Sequence, residues 1–283
     1  LIDTPGHVDF NYEVEKSMQA CEGALLLVDA SQGVEAQTVA NAYLAIEADL
    51  EIIPVLNKVD LAHARPEEVA EEIENSLGID ATETWPVSAK TGVGVPAVLD
   101  AIIERIPPPV GDASAPLQAL IFDAVYDEYR GVIVYLRVFQ GTLKRKDKVL
   151  MMGTKTTYDA VEIGRFTPKM NACEELGPGE VGYFVSNIKT LGDVRVGDTM
   201  TLSGIPAEGM LPGYRLPKHM VYADFYPTSP GEFEEMRDAL ETLLLSDSSF
   251  SYEPVTSDAL GFGFRCGFLG LLHMEIIQER LER

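Results

Sequence analysis

Over the first 106 residues, short unbroken apolar runs alternate with longer stretches in which apolar positions recur every three or four residues. The runs at 24–28, 52–56 and 85–87 predict buried strands, and the periodic stretches at 35–48, 66–77 and 96–106 predict amphipathic helices. Pro66 and Pro96 fall in the first turn of their helices, where a missing N–H costs no helical bond. Strands and helices alternating at this spacing predict βαβ units around a parallel sheet. Ligands of such sheets bind at the loops leaving the C-terminal ends of the strands.

The pattern changes after Pro107-Pro108-Pro109 and the turn-rich 111–116, which together suit an interdomain linker. Short, often β-branched runs follow at 120–125, 132–139, 148–152, 161–166, 181–188 and 199–202. They are separated by turn signals such as Gly141, Gly177-Pro178-Gly179 and Gly192-Asp193. That spacing predicts an antiparallel β-barrel. A second Pro/Gly-rich stretch, 205–217, closes it. The remainder predicts a strand at 221–225, a helix at 230–245, strands near 250–253 and 261–266, and a helix from 269 onward. This β-α-β-β-α order fits a split βαβ, ferredoxin-like module without its final strand. The fold class expected is therefore α/β, then β-barrel, then α+β, over domains 1–109, 115–204 and 218–283.

Composition narrows the picture. With 283 residues, 46% apolar and 24% charged, the chain is long enough for several buried cores and is neither disordered nor low-complexity. A net charge of −23 excludes a general polyanion binder and no DNA partner is expected, although one basic face could still meet RNA. Cys21, Cys173 and Cys266 are too scattered for a zinc site and suit a reducing compartment, and no apolar run reaches the roughly 20 residues of a membrane helix. The start at Leu1 in an apolar run and the stop at Arg283 inside a helical pattern predict an internal piece of a longer chain.

Three motifs carry the chemistry. Asp3-Thr4-Pro5-Gly6-His7 follows the strand-like Leu1-Ile2. A carboxylate at a strand tip can hold a water of a Mg²⁺ shell, and a glycine three residues on lets a backbone N–H approach a terminal phosphate. Asn57-Lys58-Val59-Asp60 ends the second apolar strand. An Asp carboxylate accepts both the N1–H and N2–H of guanine, an arrangement adenine does not offer; the Lys stem can lie across the base and the Asn can tie loops together. Ser88-Ala89-Lys90 follows the third strand, where a backbone N–H can donate to guanine O6. Singly, each has a plain alternative: a turn with a solvated His7, a helix entry capped by Asp60, an ordinary loop. Their fixed order, each after a strand, points to a guanine-nucleotide site.

This set resembles the translational GTPases, in which the three motifs are switch II, base recognition and base support. Within them it is similar to the LepA-type factors. The resemblance is carried by Asp9-Phe10-Asn11-Tyr12-Glu13-Val14, by Gly33-Val34-Glu35-Ala36-Gln37-Thr38, by the short interval from Asp60 to Ser88, and by the stretch 260–276. It implies ribosome-dependent GTP hydrolysis, with GTP and GDP as substrate and product. His7 would orient the attacking water, Asp3 would support Mg²⁺ through water, and Gly6 would offer its N–H to the γ-phosphate. Asn57, Lys58, Val59, Asp60, Ser88, Ala89 and Lys90 would bind the base. The ribosome is the implied partner. The implied location is cytoplasmic, with peripheral association at the inner face of the membrane. The family's phosphate loop ending in Gly-Lys-Ser/Thr does not occur within these residues, and Gly92-Val93-Gly94 and Gly261-Phe262-Gly263 do not replace it, so the 283 residues alone are expected to be inactive. A BipA-like or elongation factor G-like GTPase, or a non-catalytic ribosome-binding module, are the other readings. Three further features read as structural: the Gly-rich 260–272 as strand-turn-helix, His273 as a packed helix residue, and Lys144-Arg145-Lys146 with Lys148 as a solvated hairpin.

Overall fold

The computed structural model describes residues 1–283 apart from 128, 189–193, 213–217, 248 and 283, so the turn expected at Gly192-Asp193 and part of the second linker lie outside the described residues. It divides into two compact units, Leu1–Pro109 and Val110–Arg283.

In the first unit a 3₁₀ turn at Val8–Phe10 leads into α1 (Asn11–Met18), β1 (Gly23–Asp29), α2 (Ala36–Glu47), β2 (Glu51–Asn57), α3 (Pro66–Leu77), β3 (Trp85–Pro86) and α4 (Val95–Arg105). The strands form a parallel sheet in the order β1-β2-β3, with Asp29 in register with Asn57. Successive residues of β2 face opposite ways, yet Ile53, Pro54, Val55 and Leu56 are all buried. Ile53 and Val55 pack with Val98 and Ala101 of α4, while Leu56 packs with Val69 and Ile73 of α3. Helices on both faces explain why the sequence shows a continuous apolar run rather than alternation. The strand expected at Leu1-Ile2 is not formed: residues 1–6 carry no regular structure, for among the described residues no ladder reaches them.

The second unit is antiparallel. Its strands are β4 (Gln118–Asp127), β5 (Gly131–Gln140), β6 (Leu143–Lys144), β7 (Lys148–Met151), β8 (Thr157–Asp159), β9 (Glu162–Phe166), β10 (Met170–Cys173), β11 (Glu175–Leu176), β12 (Val181–Val185) and β13 (Thr199–Leu202). They are followed by β14 (Val221–Phe225), α5 (Phe233–Ser246), β15 (Ser251–Ser257), β16 (Gly261–Phe268) and α6 (Leu271–Leu281). Eight strands form one sheet in the order β10-β9-β12-β5-β4-β13-β7-β8, around a core that includes Leu117, Ile121, Leu136, Phe184 and Met200. Its end strands β10 and β8 are not paired with each other among the described residues, so no closed barrel is seen. The strands β14-β16-β15 form a separate sheet whose Phe264 and Phe268 pack with Leu240 of α5 and Ile277 of α6. The basic hairpin is partly neutralised, with Lys144 and Arg145 paired to Glu175 and Glu174.

His273 is a buried helix residue with a defined task. Leu269 N–H donates to its Nδ1 at 3.1 Å, so the ring proton of the neutral form sits on Nε2 and points at Asp247 Oδ2, 3.1 Å away. Burial pushes the Asp247 carboxyl up, but the bonds from His273 and Ser249 outweigh it and hold the group at about 2. A carboxyl whose folded value is depressed stabilises the fold above its ordinary value, near 4, and loses that contribution as the pH falls toward 2. Asp247→Asn should therefore cost about 2 kcal/mol at neutral pH. The gap between parent and variant should close on acidification below pH ~3, as denaturant melts across a pH series will read. A gap independent of pH would refute this role for Asp247.

Candidate functional site

Two loops leave the C-terminal edge of the parallel sheet side by side. The β2–β3 ladder continues past Pro86, since Val87 N–H donates to Leu56 O at 2.8 Å; Val59 N–H in turn donates to Val87 O at 3.2 Å. This brings 57–60 against 87–90 although about 30 residues separate them in sequence. Asn57 Oδ1 accepts the N–H of Lys58 at 2.8 Å and that of Ala89 at 3.0 Å. Asp60 Oδ1 accepts the Ser88 hydroxyl at 2.6 Å, and this bond holds the Asp60 carboxyl below its ordinary range. Ser88 is buried; Asp60, Ala89 and Lys90 are exposed at the tip, where a ligand can reach them. An ionised, fixed carboxylate beside exposed backbone is an acceptor for a ligand carrying two adjacent N–H groups.

Backbone geometry supports the arrangement. Lys58 has φ +67°, a left-handed conformation that costs a residue with a Cβ roughly 1–2 kcal/mol, and the bond from its N–H to Asn57 helps hold it there. The second loop turns back on itself through Ser88 N–H to Val93 O and Gly92 N–H to Ser88 O. Gly94, at φ +76°, caps α4; a Cβ there would stand 2.3 Å from Pro86 O, so the turn requires glycine.

Asp3, Gly6 and His7 lie on the irregular segment before α1 and are exposed. Asp3 and Gly6 line a cavity of about 690 Å³ that is bounded also by Asp29 and Gly33; the residues 57–60 and 88–90 do not line it. The structure thus joins the second and third motifs by direct bonds and sets the first apart from them. His7 Nδ1 accepts the Asp9 N–H at 3.2 Å, which places the proton of the neutral ring on Nε2, and the Phe10 ring meets the imidazole edge-on.

Asp29 was not among the residues expected from the sequence. Its Oδ2 lies 2.6 Å from Lys58 Nζ, and its Oδ1 accepts the N–H and hydroxyl of Ser31 at 2.8 and 2.6 Å. The Lys58 ammonium, then Ser31, hold the carboxyl well below the usual carboxylate range. An Asp two residues before a Ser at a strand end signals a local turn; that it meets Lys58 depends on the β1–β2 register.

The chain is similar to known proteins along its whole length. The family described as the elongation factor Tu GTP binding domain matches residues 1–108, and elongation factor Tu domain 2 matches 131–201. Proteins called elongation factor 4 are similar along all 283 residues: 59% identical in Rhodopirellula baltica, 60% in Synechococcus sp. (strain RCC307) and 56% in Bacillus subtilis (strain 168). This chain spans 46–47% of the length of these curated relatives. A crystal structure from Thermus thermophilus shares the fold with a TM-score of 0.79 at 19% identity, over 99% of this chain and 55% of that one.

Proposed function

Because the chain belongs to the LepA-type family of translational GTPases, the elongation factor 4 group, we propose that it supplies the base-recognition half of a site that binds and hydrolyses GTP on the ribosome. The observation that carries the proposal is the hydrogen-bonded link between Asn57, Asp60, Ser88 and Ala89 at the sheet edge. Asp60 accepts the N1–H and N2–H of guanine. Adenine would leave that carboxylate unpaired, at a cost of about 1–3 kcal/mol or more. Lys58 lays its stem along the base, while Asn57 and Val59 hold the two loops in contact. Ala89 N–H donates to Asn57 Oδ1 in this structure, so a bond from it to guanine O6 shares or replaces that one. Lys90 flanks the same loop.

Gly6 offers its N–H to the γ-phosphate; its position is exposed, and a Cβ there would meet nothing within 4 Å, so space is not what demands glycine. His7 orients the attacking water after the ribosome docks, through Nε2, the ring nitrogen that the Asp9 N–H does not engage. Mg²⁺ supplies charge neutralisation at the phosphates when bound. Asp3 would support that ion through a water, as the family resemblance implies; among the described residues no three His, Cys, Asp or Glu side chains converge on one point. That suits an ion which keeps several waters and takes the rest of its shell from substrate phosphate.

The same reading divides the chain into the C-terminal part of a GTP-binding domain at 1–109, a β-barrel at 115–204 and a ferredoxin-like module at 218–283. It places the protein in the cytoplasm with peripheral contact at the inner membrane face; among the described residues no helix is long and apolar enough to cross a membrane. Competition titrations on the full-length protein provide the test. A fluorescent GDP should be displaced by GTP and not by ATP, and purified ribosomes should raise GTP turnover. Equal displacement by ATP would refute guanine selection, and turnover indifferent to ribosomes would refute the translational role.

A further inference from the structure

From the strand-end geometry we infer that Asp29 is a positioning residue that aims Lys58 within the base site, a role that rests on the guanine-nucleotide reading above. Three observations converge on it. Asp29 is the last residue of β1 and lies in register with Asn57, the last of β2, so its carboxylate sits beside the start of the 57–60 loop. One oxygen, Oδ1, is held by the N–H and hydroxyl of Ser31, and Ala30 N–H donates to Asn57 O at 2.8 Å, which fixes the two strand ends together. The other oxygen, Oδ2, meets Lys58 Nζ at 2.6 Å.

The consequence lies in the lysine. Its backbone is already held in the left-handed region, and its long side chain would otherwise sample many rotamers from a position where half its surface is open to solvent. Anchoring the ammonium on a half-buried carboxylate whose other oxygen is held by Ser31 draws the methylene stem across the strand ends toward β1. The stem then presents a fixed apolar edge, with its charge satisfied, to a planar ring bound at Asp60. Pre-ordering a flexible side chain in this way is repaid on binding as slower release of the ligand.

The test is the dissociation rate of a fluorescent GDP from the full-length protein, measured by stopped flow beside thermal melts. Asp29→Asn keeps an acceptor for Ser31 and removes the ion pair. It should speed release about fivefold, the upper end of what a half-exposed ion pair contributes, with little change in melting. Asp29→Glu, which keeps the charge on a longer arm that a flexible lysine can follow, should bring release back to within about twofold of the parent. In a Lys58→Met background, Asp29→Asn should have no further effect on release, since its partner is gone. Unchanged release in Asp29→Asn would overturn the inference and leave the base site standing. Faster release of the same size in the Lys58→Met background would also overturn it, because Asp29 would then act through the Ser31 turn. If the full-length parent bound no guanine nucleotide at all, the site reading and this inference would fall together.

Discussion

Asp60→Asn should convert guanine preference into xanthine preference. In the parent, the carboxylate offers acceptors to both N1–H and N2–H of guanine, and the Ser88 hydroxyl keeps it ionised and oriented. An amide presents one acceptor and one donor. Its NH₂ group faces the guanine N2–H₂, donor against donor, so one bond is lost and one contact becomes repulsive. Two charge-assisted bonds at about 1.5–3 kcal/mol each set the expected loss of GDP affinity on the order of 10²–10⁴-fold. Xanthine carries a 2-oxo group in place of that amine, and the same amide donates to it while accepting from N1–H. The exchange should show in competition titrations of GDP against XDP on the full-length protein, with the melting temperature near that of the parent because Asp60 is exposed. Retained guanine preference would remove Asp60 from the base site.

His7→Ala addresses the chemical step. The imidazole is exposed; Asp9 N–H donates to its Nδ1, the Asp9 carboxylate lies 3.6 Å from the same nitrogen, and Phe10 meets the ring edge-on. Little packing is lost with it, so stability and nucleotide affinity should stay close to those of the parent. If Nε2 positions the attacking water, ribosome-stimulated single-turnover hydrolysis should fall by a factor on the order of 10²–10⁴, the range for loss of a positioned catalytic group. A packing role predicts the reverse pattern: melting and GTP affinity drop together, and turnover falls only with the loaded fraction. Normal stimulated turnover in the variant would take His7 out of the mechanism.

The motifs and the helices were legible along the chain because both are local. The helix expected at 66–77 is observed as Pro66–Leu77, and that at 35–48 as Ala36–Glu47, for each buries one stripe of its own residues and is bounded by its own Pro, Gly or capping side chain. The helix expected from 230 begins at Phe233, because Pro230–Glu232 first forms a 3₁₀ turn. Strands were less legible at their ends and where short. The run at 132–139 extends to Gly131–Gln140, and the four-residue Met170–Cys173 and two-residue Glu175–Leu176 went unmarked. A strand's length is set by its partner, and β10 exists because β9 lies beside it in register.

The same division runs through the site. That Asn57, Asp60, Ser88 and Ala89 act as one unit was implied by residue type and by position after apolar runs; which atoms bond to which was not. Asp29 shows the limit most plainly. In the sequence it is the polar end of an apolar run, 29 residues from Lys58, with nothing to connect them. The parallel register of β1 on β2 places its carboxylate against that lysine. By itself the sequence singled out the residues proposed to discriminate a base and the strands that lead into 57–60 and 88–90. Only the tertiary structure decided which neighbour orients each one, because register and chain crossing are long-range properties that no local pattern contains.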